Sequence, residues 1–160
     1  MSLTSAVRRA ALVRPAGVAY VNGQTRVTWR EAESRVARLA GGLRAQGLLS
    51  GQSVATLAFN SPMDYELLLA VWWAGGVLVP LNTRLAADEV SFILDHAQPS
   101  LFLFDEDLAE LATQACGGRR KHLRLGAATY ASLLDSTPLE AALPPLESAA
   151  GIFYTGGTTG

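Results

Sequence analysis

The stretch VATLAFNSPMDYELLLAVWWAGGVLVPL, residues 54–81, determines the predicted fold class. It opens with a short apolar run from Val54 to Phe59, after which Ser61-Pro62 supplies an N-cap serine and a proline at the first helical position. Gly75-Gly76 ends the helix, and Val77 to Leu81 forms a second apolar run. A strand, a helix and a strand in this order predict two parallel strands joined by a crossover helix.

The helix of this unit is expected to be covered on most sides. Its second half, Leu67 to Ala74, is apolar all round and contains Trp72-Trp73, which we interpret as core or as a packing surface for a portion of the protein beyond residue 160. Asp64 and Glu66 are interpreted as first-turn acids, because the helix dipole favours anionic groups there.

Downstream, the alternation of strands and helices continues. A helix from Asp88 to Ala97 and a strand from Ser100 to Phe104 are followed by a weaker pattern: helix 108–115, strand 122–125, helix 130–134 and a final strand, 150–154. Each strand is a near-continuous apolar run, which is typical of strands covered on both faces. The sequence therefore predicts an α/β fold with a mostly parallel sheet and helices on both faces.

Upstream, residues 18–28 predict a β-hairpin whose turn is centred on Asn22-Gly23. Thr28 and Glu31 have the spacing of a capping box, so a helix is expected to begin at Trp29. The apolar residues of this helix recur at three- and four-residue steps, which is typical of an amphipathic helix lying on a sheet.

The composition indicates one globular core. The 160 residues are 49% hydrophobic and 17% charged, with a net charge of −1. Because arginine and lysine are spread along the chain, we expect neither nucleic acid nor an anionic membrane as a partner. The single cysteine, Cys116, excludes an intrachain disulfide, and no secretory signal or transmembrane segment is recognised, so a cytoplasmic location is expected.

The last seven residues, Tyr154-Thr155-Gly156-Gly157-Thr158-Thr159-Gly160, follow the final predicted strand. Glycines allow a backbone to approach a ligand closely, and threonines add hydroxyl donors, so the stretch suits a polyphosphate. It lacks the spacing of a dinucleotide-binding fingerprint, and Gly157 stands where a Walker A loop requires lysine. A glycine-rich turn without chemical consequence is the alternative.

The motif resembles the start of the phosphate-binding loop of the adenylate-forming enzymes, which include acyl-CoA synthetases and peptide-synthetase adenylation domains. The resemblance extends upstream in the family's order, through the stretches at 28–31, 35–43, 60–62, 74–82, 84–85 and 89–94. Two positions depart from the family's pattern: Gln52, where the family often has aspartate, and Gly156, where it often has serine.

The resemblance implies that residues 1–160 form the N-terminal portion of the large AMP-binding domain and end inside the phosphate-binding loop. It implies ATP, Mg²⁺ and coenzyme A as substrates or cofactors and a carboxylic acid, preferably a fatty acid, as the acyl donor. The residues implied to bind ATP phosphates are Thr155, Gly156, Gly157, Thr158, Thr159 and Gly160. No catalytic or metal-binding residue is identified, and this portion alone is expected to be inactive.

Two other functions stay open: an adenylation enzyme that loads a carrier protein, and a non-catalytic α/β interaction module. A homodimer is also left open. His96 and His122 are interpreted as capping or surface residues, and Arg119-Arg120-Lys121 as a solvated loop that could assist binding of the coenzyme A phosphates.

Overall fold

The computed structural model describes residues 3–118, 120–145 and 147–155. The helices in these ranges are α1 (Leu3–Val13), α2 (Trp29–Ala45), α3 (Pro62–Trp73), α4 (Ala87–Ala97), α5 (Ala109–Cys116) and α6 (Ala127–Leu134). The strands are β1 (Val18–Asn22), β2 (Thr25–Thr28), β3 (Ser53–Leu57), β4 (Val77–Pro80), β5 (Leu101–Asp105) and β6 (His122–Leu125). None of the helices described is both long and apolar enough to span a bilayer.

The central sheet confirms the predicted α/β architecture. Its strand order is β4–β3–β5–β6, with every neighbouring pair parallel. Alternate side chains of β5 face opposite sides: Leu101 and Leu103 pack with residues of α1, α2, α3 and α6, whereas Phe102 and Phe104 pack with α4 and α5. The sheet is therefore buried between two helical layers, which explains the apolar runs of its strands.

The hairpin of β1 and β2 is present, but its turn lies one residue later than predicted. Asn22 pairs with Thr25, so Gly23 and Gln24 are the two loop residues. Gly23 has a φ of 59°, and Gln24 is not among the residues with positive φ. Glycine at the first central position with positive φ is typical of a type II′ turn, rather than the type I′ turn expected for Asn-Gly.

Capping at the two long helices is confirmed. The backbone N–H of Thr28 donates to Glu31 Oε2 at 2.8 Å, and the N–H of Glu31 donates to Thr28 Oγ1 at 3.3 Å, which closes the capping box of α2. The hydrogen bond from the Thr28 backbone lowers the pKa of the Glu31 carboxyl group. At α3, Ser61 Oγ accepts from the N–H of Asp64 at 3.0 Å.

A polar cluster links α2, α3, α6 and β1 within the core. Glu66 is completely buried, and Arg35 Nε lies 2.8 Å and 3.0 Å from its two carboxylate oxygens. The hydroxyls of Tyr20 and Tyr130 donate to the same carboxylate. The interpretation of Glu66 as a first-turn acid was wrong, because α3 begins at Pro62 and its first turn contains only Asp64 as an acid. The Glu66 charge is instead balanced by Arg35 of α2.

Two adjacent glycines of α2 lie against the following chain: Gly41 against the connector, residues 136–150, and Gly42 against α6. A Cβ atom on Gly41 would lie 2.0 Å from the carbonyl oxygen of Thr137, and one on Gly42 would lie 2.8 Å from Leu133 Cδ2. The backbone N–H of Leu139 then donates to the carbonyl of Ala37 at 2.9 Å. Glycine is therefore required here so that two backbones can approach each other closely.

The final strand predicted at 150–154 is reduced to one parallel bridge between Gly151 and Leu78. Leu78 donates its N–H to Ala150 at 3.0 Å, and Ile152 donates to Leu78 at 2.8 Å. In a parallel ladder the next donor on this edge would be residue 80, which is a proline and has no N–H. Pro80 therefore stops the pairing after one step.

Candidate functional site

The motif from Tyr154 to Gly160 is described only as far as Thr155, which is exposed. The remaining five predicted site residues, Gly156, Gly157, Thr158, Thr159 and Gly160, lie outside the described residues. The structure shows how the chain approaches the motif, while the phosphate contacts expected of these residues stay predictions.

Two adjacent indoles of α3 hydrogen-bond to the connector that leads to the motif. Trp73 Nε1 donates to the carbonyl of Leu139 at 2.8 Å, and Trp72 Nε1 donates to that of Ala150 at the same distance. Trp73 is only 4% exposed, and its own carbonyl accepts from the N–H of Ala142 at 2.8 Å. Trp73 is thus part of the core, one of the two roles predicted for the pair. Each indole N–H has a backbone partner in the connector.

Tyr154, the first residue of the motif, contacts the last turn of α4. Its hydroxyl lies 2.6 Å from His96 Nδ1, and the two rings meet edge to face with centroids 5.7 Å apart. Phe92, 66% exposed, stacks on the same imidazole. His96 is a surface residue, as predicted, but its partner lies 58 residues away, and no local pattern in the sequence indicates that contact.

The position of this contact in the fold follows from the topology. α4 connects the carboxyl end of β4 to the amino end of β5, and Ser53 Oγ, at the start of β3, donates to the carbonyl of Ala97 at 3.3 Å. The last turn of α4 therefore lies at the amino-terminal edge of the sheet. The side chain of Tyr154 reaches this turn. The backbone before it pairs in parallel with Leu78 and therefore runs in the direction of β4, toward the carboxyl-terminal edge where open α/β sheets usually bind ligands.

At the carboxyl-terminal edge, the chain connections diverge between β3 and β5. β3 leads to α3 on one face of the sheet and β5 leads to α5 on the other. The boundary between β3 and β5 is therefore a topological switch point, where open α/β sheets usually form a ligand-binding crevice. Asp105 Oδ2 accepts from the N–H of Phe59 across this boundary at 2.6 Å.

Asp64, at the same carboxyl-terminal edge of the sheet, has an unusually high pKa. Burial, followed by repulsion from Asp105, raises the pKa of Asp64 to about 6. The position of Asp64 in the sequence indicated only an interaction with the helix dipole. Its second neighbour, Asp105, could not be predicted, because it follows a strand 41 positions later in the chain. Two neighbouring carboxylates repel a bare polyphosphate, so Asp64 and Asp105 are not themselves candidates for direct phosphate contact.

The described residues of the basic loop at 119–121 form contacts within the protein. Arg120 pairs with Asp95 at 2.6 Å, and Lys121 donates to the carbonyl of Gln46. Arg119 lies outside the described residues. The basic loop is therefore engaged within the fold, and Cys116 is buried. Within the described ranges, no three His, Cys, Asp or Glu side chains are grouped so that they could hold a metal ion.

Comparison with known proteins gives a consistent result. The family model described as "AMP-binding enzyme" matches residues 7–160. The chain is 38% identical over 155 residues to a feruloyl-CoA synthase of Amycolatopsis sp., covering 96% of this chain and 30% of that protein. It is 37% identical over 147 residues to a long-chain-fatty-acid–CoA ligase of Thermus thermophilus, covering 84% of this chain and 26% of that protein.

The fold is also shared with solved structures. A fatty acyl CoA synthetase of Mycobacterium tuberculosis superposes with a TM-score of 0.85 at 31% identity, over 96% of this chain and 32% of that one. The chain thus spans less than a third of the length of the two curated relatives named above.

Proposed function

Because this chain belongs to the AMP-binding enzyme family, we propose that the full-length protein is an ATP-dependent acid–thiol ligase. In the proposed reaction a carboxylate oxygen attacks the α-phosphorus of ATP and pyrophosphate leaves, which gives an acyl-adenylate. The thiol of coenzyme A then attacks the acyl carbon, AMP leaves and a thioester forms. The observation that carries this proposal is the family match from residue 7 to the end of the motif.

The motif would bind the phosphates that become pyrophosphate. The hydroxyls of Thr158 and Thr159 would donate to phosphate oxygens, and the backbone N–H groups of Gly156, Gly157 and Gly160 would converge on them. Mg²⁺ would enter with ATP and neutralise the charge that grows on the leaving group. In this proposal Thr155 is the position at which the structurally described part of the chain meets the phosphate site.

The domain assignment is part of the same proposal. Residues 1–160 would be the N-terminal portion of the large domain, and the general machinery for adenylation and thioester formation would be supplied by other parts of the protein. The described residues contribute a sheet, a connector fastened to α3 and the approach to the loop. We expect residues 1–160 alone to release no pyrophosphate.

For the substrate we propose a fatty acid. The named fatty-acid ligases among the relatives and solved structures support this choice. A feruloyl-CoA synthase is equally similar in sequence, so aromatic acids form the essential comparison group in any test.

The test is pyrophosphate release by the full-length protein with ATP, coenzyme A and a panel of aliphatic and aromatic carboxylic acids. Thr158→Ala should raise the KM for ATP or lower kcat by about tenfold or more, since a charge-assisted hydrogen bond is lost. Thr113→Ala is the matched control, because the Thr113 hydroxyl donates to the carbonyl of Ala109 within its own helix. Equal rates for both variants would contradict the assignment of the motif.

The alternatives give different results in the same assay. Adenylate formation without transfer to coenzyme A would indicate a carrier protein as acceptor. No pyrophosphate release with any acid would favour a non-catalytic interaction module. A cytoplasmic location and a homodimer stay predictions that this assay does not address.

A further inference from the structure

The charges of the chain are divided between its two parts, although the net charge is only −1. Residues 1–50 contain eight arginines and two glutamates, a net charge of +6. Residues 51–160 contain five basic and twelve acidic side chains, a net charge of −7. The near-neutral net charge therefore results from a strongly basic N-terminal part and an acidic remainder.

Helix α1 presents part of this positive charge on its outer face. Thr4, Val7 and Ala11 are buried against the protein. The opposite face has the helical spacing 5, 8, 9, 12 and 13 and carries Arg8, Arg9, Leu12 and Val13, all of them exposed. α1 is therefore amphipathic in an unusual sense, since its solvent face is both cationic and aliphatic.

The basic residues of α1 and α2 meet in one groove. Arg8, Arg9 and Arg30 line a concavity of about 470 Å³, together with Leu12 and Glu33. Within the described ranges the ion pairs are Arg35–Glu66, Arg120–Asp95 and Arg124–Glu106, so none of the three groove arginines has a carboxylate partner there. Within the described residues these guanidinium groups are therefore not neutralised by an ion pair, although Glu33 adds one negative charge to the same groove.

The aliphatic residues beside the groove indicate which anion fits. Leu12 is 83% exposed and Val13 is 66% exposed. An inorganic phosphate would gain nothing from them, and aliphatic side chains do not provide the stacking platforms that bases require. A lipid bilayer uses both features, because its headgroups attract arginine and its acyl boundary accepts leucine and valine.

We propose that the outer face of α1, together with Arg30 of α2, is a docking surface for an anionic lipid bilayer. The helix would lie in the plane of the interface with Leu12 and Val13 inserted and the three arginines at headgroup level. No refolding is needed, because the inner face of α1 is already packed. This departs from the expectation that an anionic membrane is not a partner, which rested on the overall distribution of charge. The proposal is independent of the proposed enzymatic activity.

The test is flotation of the full-length protein with phosphatidylcholine vesicles, with and without phosphatidylglycerol. Binding should require the anionic lipid and weaken when salt is raised, because salt screens exposed charges. Arg8→Gln, Arg9→Gln and Arg30→Gln together should reduce partitioning by about fivefold for each arginine removed. The matched control is Arg84→Gln, Arg120→Gln and Arg124→Gln, which changes the net charge equally on other elements.

A second variant separates insertion from charge. Leu12→Ser with Val13→Ser should lower binding by about tenfold or more while leaving the salt dependence intact. Equal binding to both kinds of vesicle, or equal loss in the groove and control triple variants, would overturn the proposal. Release from vesicles by millimolar inorganic pyrophosphate would assign the groove to soluble phosphates instead. Tighter binding to a single-stranded oligonucleotide, lost in the groove variant alone, would assign it to nucleic acid.

Discussion

Arg35 Nε lies 2.8 Å from Glu66 Oε1 and thereby joins α2 to α3 across 31 residues of chain. The Glu66 side chain has no solvent exposure, while that of Arg35 is 38% exposed. Tyr20 and Tyr130 complete the coordination of the carboxylate. Burial and the hydrogen bond to Glu66 raise the pKa of the Tyr20 hydroxyl, so that it remains a donor at neutral pH.

Glu66→Gln should destabilise the protein by about 2–4 kcal/mol. Removing one partner of a buried pair leaves the other charge without compensation, and water reaching the half-exposed Arg35 limits the cost. The measurement is the shift of the denaturation midpoint of the full-length protein. Glu106→Gln is the control, because its pair with Arg124 has both side chains 57% exposed and should contribute about 1 kcal/mol or less. Similar shifts for the two variants would contradict the importance of burial.

Asp64→Asn should stabilise the protein at pH 7.5 and have little effect at pH 4. The pKa of Asp64 is raised to about 6 in the folded state. The folded protein therefore holds this proton more tightly than the unfolded chain, so stability falls as pH rises from about 4 to 6 and stays lower above that. After allowance for solvent screening, the gain at pH 7.5 should be about 1 kcal/mol.

The check is denaturant unfolding of the wild type and Asp64→Asn at both pH values. Asp88→Asn serves as the comparison, because Asp88 is an exposed acid in the first turn of α4. Its replacement should only remove a favourable dipole interaction and lower stability slightly. A gain for Asp64→Asn that is equally large at pH 4 would contradict the titration argument.

Gly41→Ala should be destabilising, although alanine normally improves a helix interior by about 1 kcal/mol. The new Cβ would lie 2.0 Å from the carbonyl oxygen of Thr137, so the connector must move away from α2. We expect a net loss of about 1–3 kcal/mol and faster hydrogen exchange at Leu139, whose N–H donates to Ala37. Ser34→Ala, on the exposed side of the same helix, should leave the exchange rate unchanged.

Residues 1–160 produced alone should self-associate or bind a hydrophobic dye. Leu143 of the connector is 79% exposed and Phe153 is 71% exposed. In the part of the chain that the structure describes, a single bridge covers the outer edge of β4. The measurement is light scattering together with dye fluorescence, with the full-length protein as the reference. A monomer that melts cooperatively and binds no dye would show that the domain boundary was misjudged.

Local sequence signals were sufficient to predict the strands and helices, but not the contacts between residues far apart in the chain. The apolar runs at β3, β4 and β5 and the caps at Thr28 and Ser61 predicted the order of strands and helices, because those features act within a few residues. The partners of Glu66 and His96 lie 31 and 58 residues away, and a sequence without register information does not pair them.

The same limitation explains why residues 150–154 were predicted as a strand but form one bridge. The apolar run at 150–154 has the composition of a strand, but whether it pairs depends on which β4 residues present donors at that edge. Pro80 occupies the position where the second donor would stand, a fact that becomes visible only once the alignment of Gly151 with Leu78 is known. For the candidate site, the sequence predicted only the threonine- and glycine-rich motif. No sequence pattern indicates that Asp64 and Asp105 are neighbours, because they lie 41 positions apart.

The two indoles that fasten the connector also provide an optical signal. The chain contains three tryptophans, and Trp72 and Trp73 both hydrogen-bond to connector carbonyls, while Trp29 begins α2. Release of the connector would expose the buried Trp73 ring to water and shift its emission to longer wavelength. With Trp29→Phe to remove the background, intrinsic fluorescence would follow docking of the segment that leads to the threonine-rich motif, in real time and without an added label.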